Sequence, residues 1–94
     1  MVIGLCTIDL HLPGANSLKD KRSVLKSVMR RVRNEYNVSI AEVEQQDTWR
    51  SAVLAVVTVS SDRAYAHGLL TKVVEWIERT RLDAELVDYQ IEML

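Results

Sequence analysis

The chain reads as an α+β domain of the ferredoxin-like class, a βαββαβ sandwich with one four-stranded antiparallel sheet and two helices on one face. Two observations carry this. Short segments of strand-like alternation at residues 2–11, 39–46, 51–59 and 84–92 are interleaved with helical periodicity at 17–35 and 62–80. In addition, the first and third strand segments are the most apolar, as central strands should be. The order βαββαβ then needs two crossover connections and a hairpin between the middle strands. Ninety-four residues with 48% hydrophobic content make a single domain over 1–94.

The opening strand places Val2, Gly4, Cys6, Ile8 and Leu10 on one face and Ile3, Leu5, Thr7, Asp9 and His11 on the other. Pro13-Gly14-Ala15-Asn16 ends it. Ser17 followed by Asp20 resembles a capping box, with Asp in place of the preferred Glu. Leu18, Val24, Leu25, Val28, Met29, Val32 and Tyr36 form the apolar face of the first helix. In the second strand Ala41 and Val43 are expected inward and Glu42 and Glu44 outward; Asp47-Thr48-Trp49 is a turn. The third, SAVLAVVTV, is almost wholly apolar. Ser61-Asp62 is positioned to cap the second helix, whose apolar face is Ala66, Leu69, Leu70, Val73, Val74, Trp76 and Ile77. The last strand alternates Val87, Tyr89 and Ile91 with Asp88, Gln90 and Glu92. Cys6, Ile8, Leu25, Val28, Val32, Val57, Leu70, Val73 and Ile77 are the expected core.

Charge is distributed unevenly. Residues 17–36 hold seven of the twelve Lys and Arg and two of the thirteen acids, a formal +5, which leaves −6 on the other 74 residues. On a helix, Lys19, Arg22, Lys26, Arg30 and Arg33 fall within an arc of roughly 80°. Cations so close repel one another, and a polyanion such as RNA or an acidic protein partner would relieve them. Arg79 and Arg81 lie outside the stripe. Lys21 falls among the apolar positions, so its amine must snorkel or pair with a carboxylate.

Other constellations are weaker. The loop from His11 to Ser17 enters a helix N-terminus beside Lys19, Lys21 and Arg22, which offers a place for a phosphate, but the only loop glycine is Gly14 and there is no Walker motif. Asp9 and His11 are neighbours on one strand face without a third ligand nearby in sequence, so no metal or cofactor is expected. His67 borders an apolar face and is expected partly buried. Cys6 lies on the core face and has no flanking base, so it is no nucleophile, and no catalytic residue or enzyme activity is expected. The single cysteine suits a reducing cytosol, and no run of about 18 apolar residues is present to span a bilayer. The N-terminus lacks a basic leader and reads as a strand, not a signal peptide.

The open sheet face is expected to carry Ile3, Leu5, Ala52, Leu54 and Val56, with Val53, Ala55 and Val57 turned to the helices. An apolar centre on an uncovered face marks an interface, so Ile3, Leu5, Leu54 and Val56 are the expected contacts of a homodimer or partner protein. Stacking aromatics are missing from this face, which disfavours binding in the manner of an RNA-recognition motif.

The segments SLKDKR at 17–22 and YNVSIAEVEQQDTW at 36–49 resemble the YlxP-like family of small bacterial proteins, grouped as a domain of unknown function. His11-Leu12-Pro13, Asn37-Val38-Ser39, Ala41-Glu42-Val43 and Val59-Ser60-Ser61 extend the resemblance over nearly the whole chain, with Tyr36 where Phe is expected. The resemblance implies a ferredoxin-like fold and a cytoplasmic bacterial protein. The family's genes often lie near those for translation initiation and ribosome maturation, which implies a role with RNA or the ribosome. It supplies no reaction or catalytic residue. The expectation is therefore a non-catalytic RNA- or ribosome-associated protein using the basic stripe; the alternative is a homodimeric interaction module that docks an acidic protein.

Overall fold

The computed structural model describes residues 1–80 and 83–94. The elements are β1 (Val2–His11), α1 (Leu18–Glu35), β2 (Ser39–Glu44), β3 (Ser51–Ser60), α2 (Arg63–Arg79) and β4 (Glu85–Met93). The sheet order is β2-β3-β1-β4 and all three pairings are antiparallel. This is the ferredoxin-like arrangement, with the two most apolar strands in the centre.

Side-chain capping fixes both helix starts. Ser17 Oγ accepts from the Asp20 N–H at 3.0 Å, and Asp20 Oδ2 reaches back to the N–H of Asn16, one residue earlier than in a regular capping box. Asp62 Oδ1 accepts from the N–H groups of Ala64 and Tyr65. The helices cover one sheet face, where Cys6, Ile8, Leu10, Leu54 and Val56 meet Leu25, Val28 and Val32 of α1 and Leu70, Val73, Val74 and Ile77 of α2. Gly4 allows β1 to approach α2: a Cβ there would lie 2.9 Å from Leu70 Cδ1.

The register of β3 reverses one expectation. Cys6 pairs with Val56 and Ile8 with Leu54, and directly paired residues share a face. Leu54 and Val56 are therefore fully buried beneath the helices and cannot be interface residues of the open face. Val57, expected in the core, pairs with Leu5 on the open face and is half-buried. Ile3 and Leu5 stand where expected, opposite Val59 and Val57. β2 is reversed as well: Ile40 and Glu42 pair with Val56 and Leu54 and point inward, and Val43 is 44% exposed at a register shift before Glu44. On β4, a second shift between its pairs with Asp9 and Leu10 leaves Val87 exposed, and Leu86 and Ile91 join the core. Tyr89 pairs with Ile8 on the helix side, yet an edge strand leaves it exposed. His67 is exposed, not partly buried, because it falls just outside the arc of α2 that meets the sheet.

Candidate nucleic-acid interface

Lys19, Arg22, Lys26, Arg30 and Arg33 are all exposed on α1. From Lys19 to Arg33 the helix rises about 21 Å. Among the described residues, none of the five has a carboxylate within ion-pair distance; the two pairs are His11 with Glu85 and Lys21 with Glu42. Arg33 alone has a side-chain partner there: its Nη2 donates to the Ile40 carbonyl at 2.8 Å. That bond locates the stripe, since Ile40 belongs to the edge strand β2. The stripe runs along the flank of α1 that overhangs the β2 edge. Arg79 is exposed at the end of α2; Arg81 lies outside the described residues.

The sheet has the opposite charge. Its four strands contain no Lys or Arg and six acids: Asp9, Glu42, Glu44, Glu85, Asp88 and Glu92. Glu42 turns inward to Lys21; the other five are exposed. Asp9 lies directly opposite Asp88, and His11 opposite Glu85 with Nδ1 3.4 Å from Oε2. Like charges placed opposite one another are unfavourable for the strand pair. Among the described residues no group of three Asp, Glu, His or Cys side chains is arranged to hold a metal ion. The face on which RNA-recognition motifs stack bases here repels phosphate, and the cations stand on the opposite layer.

Lys21 is fully buried and organises the end of the molecule near the start of α1. Its Nζ donates to the carbonyls of Gln45 and Thr48, each at 2.6 Å, and of Ser51 at 2.9 Å. Glu42 Oε2 lies 2.8 Å away. An ammonium has three N–H groups, and the three carbonyls take them. The Glu42 oxygen is thus a fourth, charge-only neighbour without a hydrogen bond of its own. Gln45 holds a positive φ of 59°, which turns its backbone within the loop that leaves β2. The loop is also held from the other side. Arg50 donates through Nε to the Ala15 carbonyl and through Nη2 to Asn16 Oδ1, and its own carbonyl accepts from the Leu12 N–H. Trp49 sits between these anchors and is 52% exposed.

Cys6 is buried, and burial pushes its thiol up to about 11, which keeps it neutral and unreactive. The stripe and the apolar placement of Lys21 are both legible in the sequence. The partner of Lys21, Glu42, and the tethers of Arg50 are not legible there, because these contacts join residues 21 and 34 or more positions apart.

Residues 3–91 match the model of the family described as "Protein of unknown function (DUF503)". The "Uncharacterized protein YlxP" of Bacillus subtilis (strain 168) is 39% identical over 77 residues, covering 82% of this chain and 84% of the relative. Two solved structures of designed proteins share the fold at low identity. One, a de novo designed protein with a ferredoxin fold, has a TM-score of 0.55 and 18% identity, covering 100% of this chain and 84% of that one. The other, the de novo designed Foldit4, has a TM-score of 0.54 and 9% identity, with 100% and 97% covered. With the family model spanning nearly all of the chain and a relative at this identity, the chain belongs to the DUF503 family, the YlxP-like proteins.

Proposed function

We propose that the chain is a non-catalytic, cytoplasmic RNA- or ribosome-associated protein that contacts phosphates through Lys19, Arg22, Lys26, Arg30 and Arg33. One observation carries the reading: the five cations line one exposed flank without acidic partners among the described residues, and the strands of the sheet hold acids and no Lys or Arg. Such a polarised charge distribution orients a polyanion onto α1 and away from the sheet. Phosphate contacts position a protein on RNA without reading bases, so the expected binding is salt-dependent and tolerant of sequence. Crosslinking in cells followed by purification tests it. RNA that co-purifies and is lost on nuclease treatment supports the proposal; a crosslinked acidic protein that resists nuclease opposes it.

The open sheet face favours a second reading, a homodimer or partner interface. On this face Ile3, Leu5, Ala55 and Val57 are half-buried, Val53 is buried and Val59 beside them is 63% exposed, and among the described residues both helices lie on the other face. Faces of this kind mark interfaces. In this reading two copies pair through the sheet and α1 docks an acidic protein. Leu54 and Val56 have no part in it.

A further inference from the structure

We propose that Trp49 is a base-stacking residue that extends the α1 stripe into a site for single-stranded RNA. This rests on the RNA reading above and adds to it the strandedness of the ligand and a residue that contacts bases. The aromatic is exposed on a loop that is far from loose. Lys21 holds the carbonyls on either side of it, those of Thr48 and Ser51. Arg50, the next residue, is tied to Ala15 and Asn16. An indole presented to water by a fixed backbone keeps its π face available without losing further backbone freedom on binding.

Its location matches the stripe. The bond from Arg33 to Ile40 sets the stripe along the β2 edge, and β2 runs on into the Trp49 loop. Lys21 anchors that loop to the first turns of α1, which also carry Lys19 and Arg22. A strand lying along the stripe with its phosphates on α1 therefore reaches Trp49 at its end. Aromatic platforms beside cationic grooves are how single strands are held without sequence preference. The other exposed aromatics are placed differently. Tyr89 stands on β4 between Asp88 and Glu92, and Tyr65 opens α2 at the far end of β3 from the loop.

The test uses the full chain with Trp76→Phe, which leaves Trp49 as the only tryptophan. Binding is measured to oligouridylate, oligoadenylate and a blunt RNA duplex. The expected result is quenching of Trp49 fluorescence by both single strands. Trp49→Ala should weaken single-strand binding by roughly 5- to 150-fold. Its salt slope and duplex affinity should be unchanged, since no phosphate contact is lost, and Trp49→Phe should recover part of the affinity. An unchanged denaturation midpoint for Trp49→Ala excludes loss of folding. Salt-dependent RNA binding with equal single-strand affinity for wild type and Trp49→Ala overturns this inference and leaves the stripe standing. No RNA binding by wild type overturns both.

Discussion

Replacing Lys21 with Met keeps the length of the side chain and removes its ammonium. The change strips the Glu42 carboxylate of the charge 2.8 Å away and leaves the carbonyls of Gln45, Thr48 and Ser51 without their donor. Removing one partner of a buried ion pair costs about 3–5 kcal/mol. The carbonyls could add about 1–3 kcal/mol each if they stayed dry, but they belong to an exposed loop that can open to water, so the pair term dominates. A domain of this size is stable by roughly 5–14 kcal/mol, so Lys21→Met consumes a large share. With a slope of about 1–2 kcal/mol per M, the urea midpoint should fall by about 1.5–5 M. Glu42→Gln keeps the three hydrogen bonds of Lys21 and should cost less. The Lys21→Met/Glu42→Met double variant should recover most of the loss but remain about 1–3 kcal/mol below wild type, the remainder belonging to the orphaned carbonyls. A Lys21→Met midpoint equal to wild type would refute the reasoning. Full recovery in the double variant would show that the carbonyls contribute nothing.

Two further outcomes follow from burial. The Cys6 thiol stands at about 11 in the fold against 9.0 when exposed, so above pH 9 the unfolded chain loses a proton that the folded chain keeps, and stability falls as pH rises from 9 to 11. Urea midpoints of wild type should drop more steeply over this window than those of Cys6→Ala; parallel curves would contradict the assignment. If two copies pair through the open sheet face, sedimentation should show concentration-dependent dimers that Val57→Glu abolishes, whereas a wild type that stays monomeric at high concentration rules out self-pairing.

The architecture was legible because β1 and both helices show contrast: Cys6, Ile8 and Leu10 alternate with Thr7 and Asp9, and α1 divides cleanly into Leu25, Val28 and Val32 against Lys26, Arg30 and Arg33. The register of β3 was not, since SAVLAVVTV is apolar on both faces and a period of two has nothing to distinguish. Only its pairing with β1 decides that Leu54 and Val56 go in and Val53 and Val57 go out. The reversal of β2 has a different cause. Its alternation favours Ala41 and Val43 inside, but the buried Lys21 needs a carboxylate, and Glu42 turns in to meet it. The stripe was legible because a helix converts spacing directly into a face; Trp49 was visible only as a turn residue, and its tethers come from distant parts of the chain.

The most direct measurement of the central claim is RNA binding by wild type, Arg22→Glu, Arg30→Glu, the double variant and Arg79→Glu across a salt series. Arg22 and Arg30 are exposed and, among the described residues, their side chains make no hydrogen bond or ion pair, so each variant should fold as wild type does. Wild type should lose affinity linearly in a log–log plot against salt. Each stripe variant should weaken binding and flatten the slope by about 0.9 per lost contact on a duplex and about 0.7 on a single strand. Arg79→Glu, outside the stripe, should change little. Equal binding by wild type and the Arg22→Glu/Arg30→Glu variant at moderate salt would contradict the claim that α1 is the phosphate-binding surface.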